Sequence, residues 1–456
     1  MTELDTDPLA AAAVPAAFPD AASRSAQLYA RACAVMPGGN TRHSVFFPPY
    51  PLYAVRGRGC RIWDADGVER IDCMNNYSSL IHGHGHPAVV EAITRQAADV
   101  ISVALPTEQE IELAELLVER LDALEQVRFC NSGTEAVLFA IKAARAHTGR
   151  PIIAKVEGAY HGSAETASVS SSPSPAKWGR ADAPASVPGL GCGPGVAADV
   201  IVLPMNDVEN GRRILREHAD RLAGVLVDPL VKNLGFMPVT TAFLAMIREE
   251  IDRCGALLIF DEVYSLRLGF HGAHAVLGER PDIIALGKII GGGLPIGAVG
   301  GRADIMTELF DPRSGARLAH AGTFNANPLT MAAGLAAMRQ FDEAAFSRLA
   351  ALGQRLRNGL NEALRISGRP GVVTGATSLA GFFLIDRPIA TYRDLVALMG
   401  ADPGVARRSE ALFRHLLNHG VLMIAQGFFA LSTATTESDV DHVSDAVLSG
   451  LRSLPA

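Results

Sequence analysis

Ala256-Leu257-Leu258-Ile259-Phe260-Asp261-Glu262 and Asp282-Ile283-Ile284-Ala285-Leu286-Gly287-Lys288 are two apolar runs of strand length, each ending in ionisable residues. Lys288 follows Asp261 by 27 positions, room for a strand, a connection over the sheet face and a second strand. Both charges then emerge at strand carboxyl ends, where open α/β sheets bind ligands. Similar runs at Val127–Cys130, Ile152–Val156, Val200–Leu203 and Gly224–Asp228 alternate with helix patterns at Glu135–His147, Val208–His218 and Thr241–Cys254. That alternation predicts an α/β fold, a mostly parallel sheet covered by helices on both faces. One link differs. Gly291-Gly292-Gly293-Leu294-Pro295 is too short for a crossover, so the strand at Ile296–Gly300 should run antiparallel to the one before it.

The chain of 456 residues exceeds what one hydrophobic core supports, so a large domain and a smaller one are expected. Residues 1–22, rich in Ala and Pro, read as disordered. Residues 23–86 and 341–456 read as the N- and C-terminal parts of an α+β small domain, and 87–340 as the large domain. Gly162 to Ala198, rich in Ser, Pro, Gly and Ala, reads as a long surface loop. The net charge of −7 and the absence of a basic run argue against nucleic acid or an acidic membrane surface as a partner. No apolar run approaches the roughly 20 residues that span a bilayer. The first residues lack the charged and apolar regions of an export signal. Six scattered cysteines form no CxxC pair, which fits reduced thiols in a cytoplasmic protein.

Four further segments bear on chemistry. Phe129-Cys130-Asn131-Ser132-Gly133-Thr134-Glu135 joins a strand to a helix. Its small and hydroxyl residues let backbone N–H groups meet an anion, although Ser132 or Thr134 as a simple helix cap would explain it equally. Glu157-Gly158-Ala159-Tyr160-His161-Gly162 follows a strand and offers an aromatic ring and an imidazole to a planar ligand. Ala321-Gly322-Thr323-Phe324-Asn325-Ala326-Asn327-Pro328 is a second loop suited to phosphate. His82-Gly83-His84-Gly85-His86 invites a metal reading, but no carboxylate or thiol sits at ligand spacing, so no metal is expected. A nucleotidase would need GxxxxGK[ST]; Ile289 follows Lys288, and no other match exists. By itself, a strand-end lysine is a solvated charge. Its place between apolar strands and a run of glycines points instead to function.

Together, NSGTEA at 131–136, YHG at 160–162, FDEV at 260–263, LGKIIGGGLPIGAVGG at 286–301 and GTFNANP at 322–328 resemble the class III aminotransferases of pyridoxal 5′-phosphate (PLP) fold type I. The likeness runs from about Met36 to the C-terminus. Within the class it leans toward the β-phenylalanine (β-amino-acid) aminotransferases and the glutamate-1-semialdehyde 2,1-aminomutases. The resemblance implies that Lys288 carries PLP as a Schiff base and moves protons. It implies that Asp261 pairs with the pyridinium nitrogen and that Tyr160, with His161 and Val263, lies against the ring. Ser132, Gly133 and Thr134 would hold the phosphate, joined by Thr323 from the partner subunit of a homodimer. Arg42 falls where the β-phenylalanine enzymes bind a substrate carboxylate. Those enzymes carry a second arginine where Gln426 stands here, in Ala425-Gln426-Gly427-Phe428, and a neutral amide cannot make the same charge-assisted pair. The aminomutases carry a glutamate in that stretch, and Gln426–Ser432 has none. Asp228-Pro229 stands where the class usually has Glu-Pro. Amino transfer from a β-amino acid or related amine to a 2-oxo acid is the leading expectation, and intramolecular amino transfer is the alternative.

Overall fold

The computed structural model describes residues 17–193, 195–315 and 317–455. Three strands come first, β1 (Ala54–Arg58), β2 (Arg61–Asp64) and β3 (Glu69–Asp72). A turn at Asp64–Gly67 joins β2 to β3, and Asp64 Oδ1 accepts from the N–H groups of Asp66 and Val68. Next come β4 (Gln126–Cys130), β5 (Ile152–Val156), β6 (Val200–Leu203), β7 (Leu222–Val227), a short pair β8 (Leu230–Val231) and β9 (Met237–Pro238), then β10 (Leu257–Asp261), β11 (Ile283–Gly287) and β12 (Gly297–Gly301). The C-terminal part adds β13 (Val372–Thr374), β14 (Leu379–Phe383), β15 (Val421–Leu422) and β16 (Phe428–Ala430).

Seven strands form the central sheet in the order β4-β12-β11-β10-β7-β5-β6. The pairs β11–β10, β10–β7, β7–β5 and β5–β6 are parallel, and β12 runs antiparallel to both neighbours. The short glycine-rich link therefore produces the antiparallel strand that its length predicts. Alternate residues of β10 serve opposite faces. Leu257 and Ile259 pack in one apolar cluster with Ala136, Val137, Ala140 and Ile141 of the helix Gly133–Thr148. Leu258 and Phe260 pack in another with Phe243, Ile247 and Ile251 of the helix Thr241–Cys254. Burial on both faces explains why the strands are continuously apolar.

The two ends of the chain meet in smaller sheets. β15 lies parallel to β3 beside β1 and β2, while β13, β14 and β16 form a sheet of three. The helices Glu343–Ser367 and Glu437–Ser453 pack together over them. This is the expected α/β architecture, with a smaller α+β part built from both termini. Among the described residues no helix is long and apolar enough to cross a membrane.

Two expectations change. The loose N-terminal segment was placed over residues 1–22; residues 1–16 lie outside the described residues, but 17–22 are docked. Phe18 is buried edge-on against Phe47 and Tyr50, and its backbone N–H and C=O both bond the Asn418 amide. The segment 162–198 is also not merely a surface loop. It contains the helical turn Glu165–Ser168 and buries Ala167, Val169 and Ser170. The reason is Lys155, fully buried on β5, whose amine donates to the carbonyls of Ala159 and Val169 and to Ser171 Oγ. A buried polar group needs such partners, so the segment folds over it.

Arg267 ties the large sheet to both chain ends. It is fully buried and donates to Ser378 Oγ (2.8 Å), the Ser78 carbonyl (3.1 Å) and the Leu431 carbonyl. Arg267→Met should lower stability by roughly 3 kcal/mol, because it strands buried acceptors from three segments. Urea unfolding checks this; a midpoint unchanged from wild type would show that the tie carries no weight.

Candidate active site

Asp261 closes β10 and Lys288 follows β11 directly. Parallel pairing sets Asp261 opposite Ala285, so the two strands deliver both groups to the same edge of the sheet. They line a cavity of about 380 Å³, within the usual size range of small-molecule sites. The same cavity takes in Ser132, Gly133, Thr134, Tyr160, His161, Val263 and Arg42, so segments far apart in the sequence converge on it.

Lys288 is held with φ +50°, in the left-handed region that non-glycine residues rarely occupy. Its Nζ lies 3.7 Å from the ring centroid of Tyr264. Burial pulls its pKa down to about 8, opposed by Asp261 and Asp228 and assisted by Lys232. Asp261 is nearly enclosed. Its Oδ2 accepts from His161 Nδ1 at 2.9 Å, and its Oδ1 accepts from the Val263 N–H at 3.1 Å. Burial lowers the pKa of His161, which favours the neutral ring. A carboxylate can only accept, so Nδ1 carries the proton and Nε2 is left as an acceptor. That Nε2 is buried and has no partner among the described residues.

The helix Gly133–Thr148 begins at the cavity wall. Ser132 caps it, its hydroxyl accepting from the Glu135 N–H at 3.2 Å, and Glu135 Oε2 accepts in turn from the Asn131 N–H. The capping explanation of Ser132 is therefore correct as far as it goes. It still leaves the N–H groups of the first turn without intrahelical acceptors. Gly133 has to be glycine, since a Cβ there would come within 2.8 Å of Val263 Cγ1. Gly297 on β12 is constrained more severely: a Cβ would sit 2.0 Å from the Ser132 carbonyl oxygen. The sheet thus presses directly on the turn.

Not every residue named from the sequence reaches this cavity. Thr323 lies in a separate surface groove with Arg128 and His320. Asn325 from the same loop does reach the turn, through Asn131 Nδ2 at 2.8 Å. Gln426 lines a neighbouring cavity of about 500 Å³ with Ser44, Lys232 and Phe428. Two of the histidines at 82–86 have hydrogen-bond partners: His82 bonds Thr433 Oγ1 and the Ala337 carbonyl, and His84 bonds Asp72.

Several cavity residues were missed. Tyr264 directly follows the FDEV valine, where nothing in the local pattern marks a ring beneath a lysine. Asp228 is buried there too, its carboxyl pushed well above the usual range by burial and by Asp261. Asn75, Asn76, Tyr77 and Ser78 all have positive φ, between 45° and 68°, forming one turn of left-handed chain. Asn76 Oδ1 from that turn accepts from Arg42 Nη1 at 2.9 Å, and Tyr77 donates to the Ser44 carbonyl.

A depressed lysine amine, a clamped carboxylate and an open helix N-terminus around one cavity describe a site for an anionic carbonyl cofactor. The family model for class III aminotransferases matches residues 45–447, and the chain belongs to that family. It is 38% identical to a beta-phenylalanine transaminase of Variovorax paradoxus, over 94% of this chain and 93% of that one. It is 36% identical to a glutamate-1-semialdehyde 2,1-aminomutase of Bacillus pumilus, over 93% and 96%. Among solved structures, an omega-transaminase from Sphaerobacter thermophilus superposes with a TM-score of 0.91 at 49% identity, over 94% of this chain and 98% of that one.

Enzymes of this class depend on PLP. The cavity suits that group: it offers an amine for an aldehyde, a clamped carboxylate, and an unpartnered buried imidazole nitrogen beside it. Only the neutral amine of Lys288 can attack an aldehyde. Because its pKa is lowered to about 8, capture of PLP by the apoenzyme should speed up about tenfold per pH unit below 8 and level off above it. Stopped-flow absorbance across pH 6–10 reads this; a rate still climbing steeply above pH 9 would show an unshifted lysine.

Proposed function

We propose that this enzyme moves an amino group between a β-amino acid or related amine and a 2-oxo acid, with Lys288 as its central catalytic residue. The observation that carries the substrate part is Arg42, whose guanidinium lines the same cavity as Lys288 and is held by Asn76. Its planar fork suits a carboxylate. The likeness to a beta-phenylalanine transaminase supports the same reading.

Bound PLP supplies the aldehyde and the electron sink for the carbon that loses its proton. Lys288 would hold PLP and, once displaced by the substrate's amine, would take and return the substrate proton, a role suited to an amine with a pKa lowered to about 8. Asp261, aimed by His161 and the Val263 N–H, would keep a proton on the ring nitrogen. Tyr160 and Val263 would cover the ring. Ser132, Gly133 and Thr134 would bind the phosphate at the helix N-terminus. Thr323 joins them from a second copy in a homodimer, a reading supported by its position outside the cavity of its own chain. The unpaired state of all six cysteines supports action in the cytoplasm.

A second reading, intramolecular amino transfer, is supported by the aminomutase relative. It is weakened by the lack of a glutamate in residues 426–432. The two differ in whether turnover needs an external acceptor. In a spectroscopic donor screen we expect turnover only when a 2-oxo acid is supplied, and Lys288→Ala to lose roughly a thousandfold or more in rate while still holding PLP without a covalent bond. Substantial activity in that variant, or no product from any amine, would sink the proposal.

A further inference from the structure

Lys232 belongs to none of the motifs, yet its ammonium stands between the two cavities. Its Nζ lies 5.8 Å from the ring centroid of Tyr160 and 6.0 Å from that of Tyr264, both of which line the Lys288 cavity. It lies 5.8 Å from the centroid of Phe428, which lines the neighbouring cavity with Gln426 and Lys232 itself. Lys288 Nζ is 3.7 Å from the same Tyr264 centroid. The two amines are therefore no further apart than those two distances laid end to end, about the span of an amino acid with a side chain.

The charge on Lys232 is uncompensated. Among the described residues its side-chain nitrogen forms no ion pair and no hydrogen bond, while its backbone N–H donates to Asp228 Oδ2 at 3.3 Å. Burial lowers the pKa of Lys232, and Asp228, the carboxyl that opposes this, has its own pKa raised by burial, so an arriving anion would be what favours the charged form. Aromatic faces attract a cation but do not neutralise it. A half-buried ammonium of this kind is short of one anion. Gln426, on the wall of the same cavity, is neutral and can only add a hydrogen bond.

We infer that Lys232 is a second carboxylate anchor of the active site, binding the carboxylate of an amino-acid donor or a 2-oxo-acid acceptor beside Gln426. This rests on the amino-transfer reading for its substrate class and goes beyond it in naming the residue. The chemistry asks for two cations. In a β-amino acid the carboxylate is one carbon further from the reacting carbon than in a 2-oxo acid. One fixed cation cannot meet both at full strength, because a charge-assisted bond falls off over a few tenths of an ångström. Arg42 and Lys232 give the cavity two.

The test is calorimetric binding to the holoenzyme, which needs no turnover. The probes are 3-phenylpropanoate, an amine-free analogue of the donor, and pyruvate, with 3-phenylpropan-1-ol as a probe lacking the charge. Lys232→Met should weaken at least one acid fivefold or more relative to the alcohol, and the acid affected identifies which substrate Lys232 serves. Lys232→Arg should keep the wild-type preference. Loss of Lys232's field favours a proton on the Lys288 nitrogen, which strengthens acid binding and so cannot mimic the expected loss. Lys232→Gln reads the same difference if the Met variant does not fold. A change below fivefold for both acids overturns the inference. Failure of the wild-type enzyme to transaminate any amine would instead overturn the amino-transfer reading and leave this comparison readable.

Discussion

Parallel pairing of β10 with β11 is the constraint on which the site depends. Parallel strands end at the same edge of a sheet, so the last residue of β10 and the first residue after β11 must emerge side by side. Once Asp261 and Lys288 are brought to that edge, neither can be left alone at modest cost, since a buried carboxylate requires donors and a buried ammonium requires acceptors or a lowered pKa. Asp261 receives donors from His161 and the Val263 backbone. Lys288 receives no such partner and instead loses its hold on the proton. The same pair of strands thus sets a carboxyl clamped by two donors beside an amine whose pKa is lowered. β12 completes the arrangement from the other side, because its antiparallel course runs Gly297 against the Ser132 turn.

The remaining charges sharpen this picture. Lys232 and Asp228 lie on the segment that leaves β7, and each bears on Lys288 with opposite sign. Asp228 is itself discouraged from ionising by burial and by Asp261. The balance of charge around Lys288 is therefore set by a substrate as much as by the protein: an arriving carboxylate supplies the anion that the fold withholds.

Most of the fold was legible because the strands are covered on both faces and so are continuously apolar. The helices between them carry clear start and stop signals, such as Ser23 as the N-cap of the helix Arg24–Cys33 and Gly149 as the C-cap of the helix Gly133–Thr148. The antiparallel strand followed from a glycine-rich link too short for a crossover, residues 288–296. The segment 162–198 was misread because its order comes from Lys155, fixed by contacts distant in the chain rather than by local pattern. The same limit applies at the site. Lys288 and Asp261 were legible because each ends an apolar run. Tyr264 and Lys232 were not, because only the fold brings their side chains to the site, and Asp228 stood out only as a replacement for the glutamate usual in the class. Gln426 was noticed for the arginine it replaces, but that it lines the neighbouring cavity could not be read from its neighbours.

The turn at Asn75–Ser78 has a further consequence. Four successive L-residues in left-handed conformation place each Cβ close to a carbonyl oxygen, at a cost of roughly 1–2 kcal/mol per residue. Asn75 is kept there by bonds to the Asp72 and Ala430 carbonyls, while Asn76 and Tyr77 face the cavity. Asparagine tolerates this geometry; valine, isoleucine and threonine do not. The part of the wall that holds Arg42 is thus closed to a whole class of side chains before any substrate is considered. Adaptation of this enzyme to new amines has to proceed through the other walls, and variation at this turn should be narrow in kind even where the residues touch nothing but solvent and ligand.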